Sequence, residues 1–365
     1  MITAPDFNSR FSVPSGKDKT KALAAYRLPG KADKVLITGP LYQLNDNSIL
    51  NSDETGFIIA PFSKGFPTLW IEAEEIVNFG ADSPLISDFP IISPELASIQ
   101  KTFVVSQKEY LHQVNEIKNL LKSGIAGKVV LSRQIIIPFE KELQAIDLFN
   151  YLCELYPDAF IYLAFSHGYG LWLGATPETL LNHQNQSFTT MALAGTRMVG
   201  DMSEWTKKDI EEHAYVVDYI RRKLEVAGCP EIVDALPYTV KAGGAEHLRT
   251  DFRAGCERGK ISGIVNALHP TPAVCGWPSD KALEIIRKTE KHSRAYYTGY
   301  LGPVNKDSVK LFVNLRCMQI VEDSAIIYVG GGLTDLSDPK AEWDETVLKS
   351  MTMLAAIEKM RNLAD

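Results

Sequence analysis

The chain has 365 residues, of which 45% are hydrophobic and 23% charged, and its formal net charge is -7. That composition is the globular norm, and the acidic balance excludes the broad basic footprint that nucleic-acid binding needs. No apolar run approaches the ~20 residues that span a bilayer, so a membrane-spanning helix is not expected.

Residues 1–19 are polar and carry no apolar signal core, so a cytoplasmic location is expected. The five cysteines, Cys153, Cys229, Cys256, Cys275 and Cys317, are widely spaced with no CxxC pair. They are read as reduced, mostly buried thiols rather than a disulfide frame or a zinc site.

The first hundred residues alternate short apolar runs with Pro, Gly, Asn and Asp. Val35-Leu36-Ile37 and Gly56-Phe57-Ile58-Ile59-Ala60 read as strands between turns. No chemistry stands out there, and 81–95, rich in Pro, Ser and Asp, reads as a connection. Leu111, Val114, Ile117 and Leu121 fall at helical spacing and predict an amphipathic helix over 108–122, ended by Ser123-Gly124. A β-branched strand is expected over 128–139, with further strands at 160–165, 170–174 and 188–193. Residues 206–226 read as a long helix with Thr206 as N-cap and Asp209 at the third helical position. Strands follow at 309–321 and 325–329, and a last helix opens at Asp338-Pro339 and runs to about Met360. Asn305-Lys306-Asp307 and Glu322-Asp323-Ser324 read as hairpin connections. The class is therefore α+β with antiparallel pairing, not a parallel doubly wound sheet.

Several side chains could carry chemistry. Glu342 and Glu345, spaced i, i+3, share a helix face, and Glu211 and Glu212 lie in the earlier long helix. They are either solvated charge favouring the helix dipole or oxygen ligands for a hard cation. Gly330-Gly331-Gly332 at a strand end is either a tight turn or a place where backbone approaches a ligand. Arg316, read as lying within an apolar strand, requires a partner. Lys128 at the mouth of a hydrophobic strand is either an edge gatekeeper or a base. Glu178 follows Gly174-Ala175-Thr176-Pro177, read as a strand-to-helix turn. The seven histidines show no metal-type clustering, with His213 and His247 the two of interest.

Taken together, these pieces resemble the chorismate-utilising enzymes: isochorismate synthases, salicylate synthases and the synthase subunits for anthranilate and aminodeoxychorismate. The resemblance runs over roughly 127–360. It is carried by Lys-Val-Val-Leu-Ser-Arg (128–133), Gly-Ala-Thr-Pro-Glu (174–178), Leu-Ala-Gly-Thr-Arg (193–197) and Lys-Asp-Ile-Glu-Glu-His (208–213). It continues through Leu-His-Pro-Thr-Pro-Ala-Val-Cys-Gly (268–276), Leu-Arg-Cys (315–317), the triple glycine and Glu-Trp-Asp-Glu-Thr (342–346). Each run alone is weak; eight in order are specific.

The resemblance implies one domain over 1–365, an α+β sandwich of two antiparallel sheets with flanking helices. Residues 1–100 would be its divergent part and 107–361 its catalytic region. It implies magnesium held by Glu212 and Glu345 with Glu342 beside them. It implies chorismate as substrate, with Arg316 and the amides near Gly330 and Gly332 on the enolpyruvyl carboxylate. Lys349 would help neutralise the substrate, and Gly195, His247 and Ala273 would line the pocket.

Lys128 is the expected general base toward water and Glu178 the expected general acid. Family members that use ammonia typically lack a lysine at the position of Lys128 and work with a glutaminase partner, so water is the expected nucleophile and no glutaminase subunit is expected. Ala273-Val274 resembles synthases that stop at isochorismate rather than continuing to salicylate and pyruvate. The expected activity is thus an isomerase of the isochorismate synthase type, serving menaquinone or catechol siderophore synthesis, as a monomer or homodimer.

Overall fold

The computed structural model describes residues 11–12, 21–81, 83–84, 102–138, 145–166, 168–229, 232–321 and 324–364. His167, most of the 81–95 connection and the Glu322-Asp323 turn fall outside them. Every strand pairing among the described residues is antiparallel.

The strands form two sheets that share the long strand Lys34–Leu44. From its second half, the first sheet runs through Thr68–Glu72, Gly56–Ala60, Tyr300–Asn305, Ser308–Val313, Thr179–Gln184, Ser187–Met198 and Ala245–Gly255. From its first half, the second sheet runs through Lys21–Arg27, Phe160–Ser166, Gly170–Thr176, Cys317–Val321, Ser324–Leu333 and Lys128–Pro138. Residues before 100 thus supply strands and core to both sheets.

Phe57, Ile59, Leu69 and Phe312 of the first sheet meet Ala24, Phe160, Tyr162, Trp172 and Tyr328 of the second in one apolar layer. The rings of Phe160 and Phe312 stack across it with centroids 4.0 Å apart. Ile58 and Ala60 point the other way, into a second core with the helices that cover the first sheet. Coverage on both faces explains why Gly56–Ala60 reads as an unbroken apolar run rather than an alternation.

Among the described residues six α-helices flank the sandwich: α1 (Gln107–Lys122), α2 (Ala145–Leu155), α3 (Lys207–Val226), α4 (Ile261–Leu268), α5 (Ser279–Thr289) and α6 (Pro339–Ala364). Helices α3 and α4 cover the first sheet, α2 and α6 the second, and α1 and α5 pack beside Lys128–Pro138. This is the α+β sandwich that the sequence implied. The five thiols are free, four of them buried.

Thr206 caps α3 as expected, its hydroxyl accepting from the Asp209 N–H at 3.2 Å and donating to the Asp209 carboxylate. Asp338 caps α6, accepting from the Ala341 N–H at 2.9 Å. Thr206→Ala should cost about 1 kcal/mol of stability, measured by urea unfolding. An unchanged midpoint would mean that packing alone sets the start of α3.

Four expectations are corrected. The single strand over 309–321 is two strands, Ser308–Val313 in the first sheet and Cys317–Val321 in the second. Asn314 breaks it: its side chain accepts from Tyr162 Oη at 2.6 Å and donates to the Tyr296 carbonyl at 2.9 Å. Arg316 lies in that break, with φ of 46°, and not inside a strand. The triple glycine lies within Ser324–Leu333 rather than after it, opposite Val130, Leu131 and Ser132. Glu178 sits between two strands, not at the start of a helix.

Candidate active site

A cavity opens where the two sheets and the first turns of α3 and α6 meet. It is lined by Glu178, Gly195, Glu212, His247, Ala273, Arg316, Gly330, Gly332 and Lys349. Lys128, Glu342 and Glu345 are not part of that lining but stand directly behind Glu212 and the glycine strand.

Lys128 opens the strand Lys128–Pro138 and is completely buried. Its ammonium lies 3.1 Å from Glu212 Oε1, an ion pair without good hydrogen-bond alignment. Burial lowers its pKa, against the opposing pull of Glu212. Glu178 is likewise buried, and loss of hydration pushes its carboxyl up to about 8, against the attraction of Lys128 and Lys349. The cavity wall thus holds a carboxyl displaced toward its acid form, and the layer directly behind it a lysine displaced toward neutrality.

The glycines are there for closeness. A Cβ on Gly332 would sit 2.2 Å from Glu212 Oε1 and 2.8 Å from Lys128 Cε, and one on Gly331 would sit 3.2 Å from Glu342 Oε2. The carboxylates of α3 and α6 therefore rest against bare backbone. Gly332→Ala should destabilise the fold by about 1–3 kcal/mol through this overlap, read from urea unfolding. Gly80→Ala, with no atom of the described residues within 4 Å of its Cβ, is the control; equal losses in both would point to backbone effects instead.

On the opposite wall, Arg316 donates to Thr352 Oγ1 at 3.0 Å and to His247 Nε2 at 3.2 Å. His247 in turn donates from Nδ1 to the Gly195 carbonyl at 2.7 Å, which fixes the tautomer that leaves Nε2 free to accept. Burial, with Arg316 and Lys349 nearby, holds the imidazole down at about 3, so it is neutral. Gly195 itself has φ of 74°, a left-handed conformation suited to glycine. Lys349 joins the two zones, donating to the Gly330 carbonyl at 3.0 Å and to Glu345 Oε1 at 2.6 Å. His213 is not in the cavity lining; it bonds Thr250 Oγ1 at 2.9 Å.

Glu212, Glu342 and Glu345 converge, but on a lysine. Lys208 Nζ lies 3.0 Å from Glu212 Oε2, 3.1 Å from Glu342 Oε1 and 3.9 Å from Glu345 Oε2. Burial raises Glu212, but Lys128, Lys208 and Lys349 more than offset it and hold the carboxyl well below the usual range. Burial together with Glu345 and Glu212 raises Glu342 to about 7 despite Lys208. Among the described residues no trio of acidic, histidine or cysteine side chains already surrounds a point that a metal would occupy. The donor set still suits magnesium: three clustered carboxylates supply hard oxygens, and Glu342 Oε2 has no hydrogen-bond partner among the described residues.

The sequence did not single out Lys208, Tyr297 or Leu193. The last two line the cavity. Lys208 had a signal, its i, i+4 spacing to Glu212 on one helix face, but nothing local tied it to Glu342. The site as a whole pairs cationic groups that can hold a small anion with groups poised to move protons about it.

Comparison with known proteins agrees. The model of the chorismate binding enzyme family matches residues 86–358. The chain belongs to this family of enzymes. Within it, the chain is similar to the vibriobactin-specific isochorismate synthase of Vibrio cholerae, 26% identical over 313 residues, covering 82% of this chain and 78% of that one. It is 32% identical over 270 residues to the salicylate biosynthesis isochorismate synthase of Pseudomonas aeruginosa, covering 70% of this chain and 56% of that protein's length. The fold matches the menaquinone-specific isochorismate synthase of Escherichia coli with a TM-score of 0.75 at 18% identity, over 93% of this chain and 89% of that one. Among the described residues no helix is long and apolar enough to cross a membrane.

Proposed function

We propose that the protein is an isochorismate synthase, an isomerase that converts chorismate to isochorismate in the presence of magnesium. The observation that carries this reading is the completely buried Lys128, 3.1 Å from the cavity-lining Glu212, together with a Glu178 that lines the same cavity and whose carboxyl burial raises to about 8. The activities named for the Vibrio and Pseudomonas relatives support it. The free thiols fit a cytoplasmic setting. We assign the catalytic work to 107–361 within one domain over 1–365, in which the earlier strands complete both sheets.

In this mechanism neutral Lys128 takes a proton from water as its oxygen bonds to C2 of the ring. The double bond shifts, the C4–O bond breaks, and Glu178 gives its proton to the departing hydroxyl, which leaves as water. Lys128 ends as ammonium and Glu178 as carboxylate, so protons balance before the pair resets. Arg316 and the outward-facing backbone of Gly330 and Gly332 hold the enolpyruvyl carboxylate, and Lys349 offsets the second negative charge. Glu212, Glu342 and Glu345 would hold magnesium, which when bound supplies a hard Lewis acid for the ring carboxylate. Ala273 contributes a small apolar wall.

Product analysis tests the whole reading. Purified protein is incubated with chorismate and magnesium, with and without ammonium, and the products are resolved by chromatography. Isochorismate alone, lost on chelation, is the expected result. Salicylate with pyruvate would move the protein to the lyase-competent branch, and an amino product formed only with ammonium would remove water as nucleophile. No product would leave a chorismate-binding role without turnover.

A further inference from the structure

Lys208 reaches from the first turn of α3 toward α6, and its side chain is 14% exposed. Its ammonium lies within 4 Å of oxygens of Glu212, Glu342 and Glu345, at 3.0, 3.1 and 3.9 Å. The three carboxylates come from two helices and pack against the glycine strand, Glu212 and Glu342 buried and Glu345 13% exposed. Without a cation between them they would repel one another in a poorly hydrated place, where unpaired charge is costly.

The same three carboxylates are those given to magnesium above, and a dication drawn in among them would lie against the Lys208 ammonium, which like-charge repulsion opposes. Magnesium needs its oxygens at about 2.0–2.1 Å, well inside the spacing that the ammonium keeps. A lysine differs from a metal in being tethered by a flexible stem. The neighbouring Lys207, with a side chain 79% exposed, shows that this turn of α3 borders solvent, so the stem has somewhere to withdraw.

We propose that Lys208 is a positioning residue that acts as a tethered place-holder: its ammonium keeps Glu212, Glu342 and Glu345 converged while no dication is bound and yields those oxygens when one enters. Metal uptake is then an exchange of cations on a preassembled trio rather than the gathering of three scattered acids. The inference rests on the magnesium reading of these carboxylates. It implies that Lys208 weakens metal affinity while it stabilises the metal-free protein.

Magnesium binding is measured by calorimetry, without chorismate, on the wild type, Lys208→Gln and the exposed control Lys207→Gln. Melting temperatures are recorded with and without magnesium. Lys208→Gln should bind magnesium about tenfold more tightly, since a competing positive charge is removed at close range. Its metal-free melting temperature should fall below the wild-type value, with the gap closed by saturating magnesium. Lys207→Gln should match the wild type in both. Equal or weaker magnesium binding by Lys208→Gln, with the wild type binding normally, would overturn the exchange and make Lys208 a permanent neighbour of the metal. Absence of magnesium binding in wild type and variant alike, both folded by circular dichroism, would remove the magnesium reading itself and the exchange with it. If Lys208→Gln unfolds without metal, its refolding on titration with magnesium reports the same linkage, and failure to refold counts against the proposal.

Discussion

Lys128→Met should lower chorismate turnover by about 10²–10⁴-fold, the usual contribution of a positioned proton acceptor. Methionine is chosen because the side chain it replaces is fully buried at the head of Lys128–Pro138, and a similar apolar volume keeps the strand packed. Glu212 would retain Lys208 as a cationic partner at 3.0 Å, so its charge would not be stranded. The acid limb of the rate profile, where Lys128 is protonated and cannot accept, should disappear along with the activity. Steady-state rates of isochorismate formation across pH test both points. A variant with near wild-type turnover would assign the water-activating role elsewhere.

Glu178→Gln should give the opposite signs in two measurements: turnover lower by about 10²–10⁴-fold and a protein more heat-stable in mild alkali. The carboxyl of Glu178 is raised from 4.5 to about 8, chiefly by burial. At neutral pH the folded protein holds this proton and the unfolded chain does not. Between pH 4.5 and about 8 the folded state therefore binds more protons, and stability falls as pH rises through that window. Glutamine keeps the shape and does not titrate. The variant should match the wild type below pH 4.5 and gain progressively above it, reaching roughly 5 °C in melting temperature at alkaline pH. Wild-type activity should decline above about pH 8, as the acid is lost. Calorimetric melting of both proteins across pH decides the matter; parallel curves would mean that Glu178 titrates as an ordinary carboxyl.

The sequence made α1, α3 and α6 legible, and the caps of the last two, because those signals are local; α2, α4 and α5 were not read from it. Thr206 with Asp209, and Asp338 with Pro339, name their own helix starts, and the hydroxyl and carboxylate bonds are there. Residues 309–321 misled because an apolar run is equally good strand in either sheet. What divides it is Asn314, held by Tyr162 and Tyr296 from distant parts of the chain. The glycine run was misread for a related reason. Its role depends on carboxylates that arrive from α3 and α6, and no neighbour in sequence announces them. Glu178 looked like the start of a helix because Pro177 suits either kind of turn; the next strand pairs with Ser308–Val313 instead. The family motifs, by contrast, named most of the residues around the cavity, since eight ordered runs specify a fold that periodicity alone cannot.

The chain passes from one sheet to the other within Asn314, Leu315 and Arg316, so the guanidinium that faces the cavity is fastened at both ends to different layers of the sandwich. Its position is set like that of a pin through two plates. A sub-ångström slide of one layer over the other, such as trimming the stacked pair Phe160 and Phe312 would allow, moves the guanidinium proposed to hold the substrate's carboxylate without touching any residue around it. Changes of affinity for the substrate are therefore to be sought deep in the shared core as readily as in the wall of the cavity.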